Sequence, residues 1–458
     1  MRRAEDCLAE LRAACGPQAV LAGSELPDRS FADYSGEPGA RPFALLRPAD
    51  TSQVAAMLRI CQAHGQPVVP QGGLTGLAGG ACCRPQDMAL SLERMNRIEA
   101  VDEVSATLTA QAGCVLQVAQ QAAADHGFLL ALDLGARGSC TLGGNIATNA
   151  GGNRVIRYGT ARDQLLGLEA VLADGRVVGG LHAMVKNNSG YDWRHLMAAS
   201  EGTLGVITRL VFKLHPRPAH TGTAWCGLAG FEAATTLLRR ARAELGAVSV
   251  FEVMWPGFLH FMLERAEGLR RPLAGEHGLH VLLESEGDAA AFEAFLARML
   301  EEGVIEDAAL AQSHAEAQAL WAIRDATAGF PRWLPGMAAF DVSFPIRRIG
   351  EVAARCQALL NERWPGGTHL FFGHLGDGNL HVISHMAGMD EDLRHAIEHA
   401  VYDLTREFGG SVSAEHGIGT LKRKVLGHCR SADELAAMRS LKAALDPAGI
   451  LNPGKLLV

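Results

Sequence analysis

No run of apolar residues in this 458-residue chain approaches the roughly 18 that a membrane-crossing helix needs, so no membrane span is expected. No CxxC pair occurs among the ten cysteines, and only Cys82 and Cys83 adjoin. Scattered in this way, they read as free, mostly buried thiols of a reducing compartment and not as a disulfide framework. No basic stripe is present, and 42 Lys and Arg against 50 Asp and Glu leave a net charge of −8. That removes nucleic acid as a partner class. Repeats and low-complexity stretches are lacking, and 48% hydrophobic with 20% charged residues excludes disorder and collagen. The opening segment lacks a signal-peptide core, because Glu5, Asp6 and Glu10 interrupt it; it reads as an amphipathic helix. A cytoplasmic location is expected.

What is present is punctuation. At this length more than one core is needed, since single cores stop growing at about 250–300 residues. The first half alternates strand and helix. Phe43–Arg47 reads as a strand, Thr51 as the cap of a helix reaching His64, and Gly65 as its stop. Pro67–Pro70 and Thr107–Ala112 read as strands, and Val115–His126 as a helix closed by Gly127. Ala173-Asp174-Gly175 signals a hairpin. Composition shifts near Pro216–Pro218, beyond which helices such as Phe231–Leu245, Phe292–Glu302 and Leu393–Phe408 dominate, with strands between. The expected domains are 1–218, 219–410 and a C-terminal segment 411–458.

Two glycine-rich stretches stand out. Gly72-Gly-Leu-Thr-Gly76 follows a strand without the GxGxxG spacing of a dinucleotide fold, so it is either a tight turn or a backbone cradle for a pyrophosphate. Gly138-Ser-Cys-Thr-Leu-Gly-Gly-Asn-Ile-Ala-Thr-Asn-Ala-Gly-Gly152 carries too many polar side chains for a core segment. Together they suggest a large phosphate-bearing cofactor lying along backbone. Gly449-Ile-Leu-Asn-Pro-Gly454-Lys455 mimics a phosphate-binding P-loop, but Pro453, Leu456 and the lack of a following helix exclude one.

In the second half His374 and His381 stand seven apart, an odd offset that would separate them on one straight strand. The Gly376-Asp-Gly378 bend between them lets both imidazoles turn to one point. Glu415, in Ser413-Ala-Glu-His416-Gly417, is a third ligand candidate or, with His416, only a helix cap. Two His and one Glu leave positions open on a divalent ion such as zinc. His369 and His385 read as satisfied core histidines. Arg324, behind Trp321 on a helix, is either a salt-bridged arginine or a carboxylate anchor.

These segments together resemble the FAD-binding oxidoreductases of vanillyl-alcohol oxidase type, over almost the whole chain. Further markers are Lys186-Asn-Asn-Ser-Gly-Tyr-Asp192, Glu201-Gly-Thr-Leu-Gly-Val-Ile-Thr208 and Asp446-Pro-Ala-Gly-Ile-Leu-Asn-Pro-Gly454. The histidine-bearing markers are similar to the branch of D-2-hydroxy acid dehydrogenases, which holds D-2-hydroxyglutarate dehydrogenases, D-lactate dehydrogenases and glycolate oxidase flavoprotein subunits. The resemblance implies an α+β fold: a two-subdomain FAD-binding domain, an α+β substrate (cap) domain, and a C-terminal tail returning to the flavin domain. FAD is expected along Gln71, Gly72, Gly73, Leu74, Thr75, Gly76 and Leu77, along Leu134, Gly135, Gly138, Ser139, Thr141, Gly144, Asn145, Thr148 and Asn149, and against Glu201, Gly205, Ile207 and Asn452. Leu74 stands where some relatives attach flavin through histidine, so the link is expected to be non-covalent.

The resemblance further implies a metal, zinc by expectation, on His374, His381 and Glu415, with His416 as general base and hydride passing to flavin N5. Arg324 and Asn379 would hold the substrate carboxylate, with His416 also touching substrate. Relatives specific for hydroxyglutarate carry Lys and Thr where this chain has Ala339 and Ala328, and Trp333 and Phe340 would favour a less charged side chain. The expected substrate is therefore a D-2-hydroxy acid of D-2-hydroxyglutarate, D-malate or D-lactate type. The electron acceptor would be an electron-transfer flavoprotein or a quinone, and the assembly a homodimer. Two alternatives stand beside this: a flavoprotein subunit of a larger complex, and a metal-dependent hydrolase.

Overall fold

The computed structural model describes residues 2–28 and 31–457, so Met1 of the expected N-terminal helix lies outside them. That helix runs Arg2–Cys15. The chain forms two compact units, one of Met1–Gly152, Gly159–Arg217 and Glu415–Val458, the other of Asn153–Tyr158 and Pro218–Ala414. The short excursion Asn153–Tyr158 has no compositional signal.

In the first unit, β1 (Val20–Ala22), β2 (Ala44–Leu46), β3 (Val68–Gln71) and β4 (Met88–Ser91) form a sheet of order β1-β2-β4-β3. β2, β4 and β3 are parallel and largely buried, so they show unbroken apolar runs instead of alternation. The helix Thr51–His64 connects β2 to β3 and buries Val54, Met57, Leu58 and Cys61. Its cap is Asp50, not Thr51: the Asp50 carboxylate accepts from the Gln53 N–H at 2.9 Å. Gly65 ends it at φ 62°, as its place in the sequence suggests.

A second, antiparallel sheet follows. β5 (Ile98–Asp102), β6 (Thr107–Gln111), β8 (Leu165–Val171), β9 (Val177–Gly180) and β10 (Val206–Lys213) stand in the order β5-β6-β10-β8-β9, while β7 (Phe128–Leu129) pairs with β11 (His215–Pro216). The C-terminal segment returns to this unit: Leu451 bridges Val68 in parallel, and Ile450 and Leu451 join the core of Met57, Leu90, Leu108, Leu142 and Phe212.

The second unit is built on a seven-stranded antiparallel sheet, where the sequence had suggested helices in the lead. Its strands are β12 (Thr221–Leu228), β13 (Val248–Met254), β14 (Leu279–Glu286), β15 (Asp307–Leu310), β16 (Ala338–Ser343), β17 (Thr368–His374) and β18 (Asn379–His385). The order is β15-β12-β14-β13-β17-β18-β16. Central strands covered on both faces lose the period of two, which is why they read poorly. One face carries Trp225, Met254, Leu282, Phe372 and Ile383, packed with Phe258, Phe261, Ile323 and Phe330. Phe258 comes from the helix Pro256–Arg265, and burying a side chain of that size contributes about 1.5–3 kcal/mol. Among the described residues no helix is long and apolar enough to cross a membrane.

Candidate functional site

In the first unit the chain leaves β3 at Gln71 and enters the glycine-rich turn. Gly72 and Gly73 do not adopt left-handed φ angles, so what they supply is space. A Cβ on Gly72 would lie 2.4 Å from Thr141 Oγ1, and one on Gly73 2.0 Å from the Ser139 carbonyl oxygen. The two glycine-rich segments therefore meet backbone to backbone. Leu74 (φ 57°) and Asn149 (φ 49°) do hold left-handed backbone, which marks both segments as shaped against local preference.

Polar atoms on these segments lack partners. Gln71 Oε1 and Thr141 Oγ1 are buried and unbonded, and Asn145 Nδ2 has only the Cys140 thiol in reach. Leaving such groups unmade costs about 1–3 kcal/mol each, so a polar ligand is the economical completion of the cradle. FAD fits: Thr141 and Asn145 are donors for phosphate or flavin oxygens, and the glycines admit a close approach.

Other predicted contacts serve the protein itself. Thr148 Oγ1 donates to the Gly144 carbonyl at 3.1 Å, and Asn149 Oδ1 accepts from the Arg162 N–H at 3.0 Å. Ile207 is a core side chain, 5% exposed. Gly205 makes room for the Met197 sulfur and the Val171 carbonyl oxygen, while Gly135 borders open space.

Glu201 is engaged within the first unit. Its buried carboxylate accepts from the Ile418 N–H at 2.8 Å and the Gly419 N–H at 2.7 Å. Burial raises its pKa, against those two amides and the charge of Lys422. Glu201 is thus a strut for the segment behind Glu415 and His416. Asn452 is a second strut, with Nδ2 donating to the Glu201 carbonyl at 2.7 Å and the Gly80 carbonyl at 3.0 Å; its buried Oδ1 stays unpartnered.

Glu415 is held by backbone of the first unit: Oε1 accepts from the Gly152 N–H at 2.8 Å, and a Cβ on Gly151 would collide with that oxygen at 2.4 Å. Residues 412–422 are turns and bends, so Glu415 and His416 cap no helix. Both are partly buried.

In the second unit β17 and β18 form a hairpin through a single helical turn, Leu375–Asp377, which Gly378 closes at φ 90°. Phe372 pairs with His381, so His374, two residues on, shares its face. The two imidazoles are buried and nearly perpendicular, with centroids 5.4 Å apart and a nitrogen of each within 4.8 Å. The odd spacing in sequence becomes adjacency in space.

Behind them lies a residue that sequence reasoning missed. Glu252, fully buried on β13, stands opposite His374 in the ladder and accepts a very short hydrogen bond from its Nδ1. Its second oxygen accepts from Arg324 Nε at 2.7 Å. Burial would push this carboxyl up, but the His374 and Arg324 charges outweigh it and hold the pKa down at about 2. The Arg324 guanidinium lies 4.8 Å over the Phe372 ring. A lone acid in Val248-Ser-Val-Phe-Glu252-Val-Met is the signal that was available, because a buried charge needs a partner.

Asn379 and the aromatic residues need restating. Asn379 Nδ2 donates to Asp341 Oδ1 at 2.8 Å, leaving a buried, unpartnered Oδ1. Its Oδ1 offers an acceptor for a hydroxyl, and Nδ2 has a second hydrogen to donate. Asp341 pairs with His381, so Phe340 points to the opposite face, where it meets Tyr402 at 5.4 Å. Trp333 packs edge-on against Phe261 in the core cluster. Ala339 shares the face of Asp341. His369 hydrogen-bonds Ser384 at 2.9 Å, and burial lowers its pKa, as fits a core histidine.

The FAD binding domain family matches residues 42–179, and the C-terminal domain family of FAD linked oxidases matches residues 217–456. The D-2-hydroxyglutarate dehydrogenase of Bos taurus mitochondria is 41% identical over 420 residues, covering 90% of this chain and 76% of the relative. The D-2-hydroxyglutarate dehydrogenase of Xanthomonas citri pathovar viticola is 40% identical over 425 residues, covering 91% and 89%. Among solved structures, p-cresol methylhydroxylase with substrate bound matches with a TM-score of 0.77 at 16% identity, covering 100% of this chain and 97% of that one. A 4-ethylphenol oxidase from Gulosibacter chungangensis matches with a TM-score of 0.75 at 18% identity, with the same coverage. At such identities these two speak for the fold alone. The chain belongs to the FAD-linked oxidases of vanillyl-alcohol oxidase type and is an FAD-dependent dehydrogenase.

Proposed function

We propose that the chain oxidises a D-2-hydroxy acid to the corresponding 2-oxo acid, with D-2-hydroxyglutarate as the first candidate because the bovine and Xanthomonas relatives are named for it. D-malate and D-lactate types remain in the class. The observation that carries the reading is the buried array of His374, His381, Glu252 and Arg324 on one face of a sheet.

Arg324 binds the substrate carboxylate. Its Nε is committed to Glu252 and Nη1 reaches Thr327 Oγ1 at 3.5 Å, which leaves Nη2 and the second Nη1 hydrogen for a charge-assisted pair. Asn379 Oδ1 accepts from a substrate hydroxyl. His374 and His381 would hold a divalent cation, zinc by its liking for imidazole, with Glu415 as the third ligand that the family resemblance implies. His416 takes the alcohol proton, the general-base role an imidazole most often fills. When bound, FAD supplies a hydride acceptor and the cation a Lewis acid for the alcohol oxygen. Leu74 offers no nucleophilic atom to flavin, so FAD is held without a covalent bond. All ten cysteines are free, which suits a reducing compartment such as the cytoplasm. An electron-transfer flavoprotein or a quinone takes the electrons onward, and the enzyme works as a homodimer.

The test is an anaerobic screen of D- and L-2-hydroxy acids against the purified flavoprotein. Bleaching of the flavin band by D-2-hydroxyglutarate or another D-acid, and not by its L-enantiomer, supports the reading. Failure of every D-2-hydroxy acid sinks it, and a colourless protein that hydrolyses esters or amides would favour a metal hydrolase instead.

A further inference from the structure

We infer that Glu252 is a positioning residue that sets two parts of the site at once: the ligand nitrogen of His374 and the direction of the Arg324 fork. This rests on the metal-binding part of the proposed function. An ionised carboxylate can only accept hydrogen bonds, so His374 must carry a proton on Nδ1 where it meets Glu252. To bind a cation the ring must be without a proton on Nε2, and with Nδ1 engaged by Glu252 that atom is fixed as the ligand. The same carboxylate accepts from Arg324 Nε at 2.7 Å, while Nη1 meets Thr327 Oγ1 at 3.5 Å, so the fork is held by Glu252 at its base and by Thr327 at one tip. Phe372 under the guanidinium, at 4.8 Å, closes the remaining freedom. Glu252 itself is fully buried, with one oxygen on His374 and the other on Arg324.

The isosteric substitution Glu252→Gln exposes this double duty. A glutamine amide has one acceptor and one donor end. If its oxygen faces Arg324 Nε, its NH2 faces His374 Nδ1, which must then accept; the proton moves to Nε2 and blocks ligation. If its oxygen faces His374, its NH2 opposes the Arg324 N–H and drives the guanidinium off its seat. Either the metal or the carboxylate anchor is lost, and the variant cannot keep both.

The experiment measures zinc and cobalt affinity of the FAD-loaded protein by competition with a chromophoric chelator, and separates KM from kcat with a D-2-hydroxy acid. Carboxylates that orient metal-bound histidines are worth roughly 10–100-fold in affinity, and that loss, or a KM rise of similar size, is expected for Glu252→Gln. Should that variant fail to fold, Glu252→Asp serves, since its shorter side chain keeps the charge but reaches one partner at most. A folded, FAD-loaded variant with metal affinity and KM both within twofold of the parent overturns the inference. If the parent protein itself binds no divalent ion in the competition assay, the metal reading falls alone; KM through Arg324 then decides whether Glu252 positions the site.

Discussion

Gly73→Ala tests the cofactor cradle most directly, because only space is at stake. The glycine does not use left-handed backbone, so alanine is conformationally permitted. The added carbon would nonetheless lie 2.0 Å from the Ser139 carbonyl oxygen and 2.9 Å from Cys140 Cα. An ordinary carbon–oxygen contact needs about 3.3 Å, so the two segments must part by roughly 1.3 Å. Overpacking against movable side chains costs about 1–3 kcal/mol; here the obstacle is backbone, and the upper end applies. About 3 kcal/mol charged to the FAD-bound form is a loss of roughly a hundredfold in affinity. It also cancels the stabilisation of about 2.7 kcal/mol that FAD at a hundred times its Kd confers. The assay is the flavin-to-protein absorbance ratio after purification, with the melting temperature followed as FAD is added back. Gly135→Ala is the control, since nothing lies within 4 Å of its Cβ, and it should keep its flavin. Parental FAD content and an unchanged FAD-dependent melting shift in Gly73→Ala would refute the idea that this contact shapes the cradle.

Further outcomes follow from other parts of the molecule. His416→Ala should retain FAD yet reduce it with substrate at least a hundredfold more slowly, as removal of a general base does; a normal rate removes His416 from that role. Treatment with EDTA should abolish turnover and added zinc, cobalt or manganese restore it, whereas full activity in protein shown to be metal-free contradicts the proposed cation. Glu201→Gln leaves one of the Ile418 and Gly419 amides without an acceptor and should destabilise the first unit by about 1–3 kcal/mol, read as a lower melting temperature. His280 is buried beside His277 and Arg271, with Glu276 pulling the other way and His260 adding to the depression; burial foremost lowers its pKa from 6.5 to about 4. Between those values the unfolded chain binds the proton first, so stability should fall from pH 6.5 towards 4 by up to about 3 kcal/mol. His280→Gln, which can still accept from Trp225 Nε1, should flatten that acid limb, and an unaltered limb rules His280 out as its source.

Much of the first unit was legible because its elements are short and sharply punctuated. β2 and β3 follow from short apolar runs, β6 from its alternation, and the helix Thr51–His64 from its period and Gly65. The capping assignment slipped by one residue because Asp50 and Thr51 are both good caps, and only the Gln53 contact decides between them. The sheet of the second unit was less legible, since strands such as β13 and β14 are covered on both faces and carry no alternation. In the glycine-rich loops the stretch was readable but the individual residues were not. Gly73 and Gly135 look alike in a sequence, yet one is crowded by backbone and the other faces open space.

The same distinction separates residues that meet a ligand from those that hold them in place. Ligand-facing candidates such as His374, His381, Glu415 and His416 lie in or beside loops, where glycine and polar residues mark them out. Their supports are single acids in apolar company. Glu252 finds His374 across 122 residues of chain, and Glu201 finds Ile418 across 217. Nothing local encodes such a partner; it is fixed by β-ladder register in one case and by the return of the C-terminal segment in the other. The legible part is that each acid must have a partner, because an unpaired buried carboxylate would neutralise itself or unfold its surroundings. A buried Glu or Asp flanked by β-formers is therefore better read as a question about what it holds than as a candidate contact of its own. Glu201 is the case in point: both of its oxygens accept from the Ile418 and Gly419 amides, just behind Glu415 and His416.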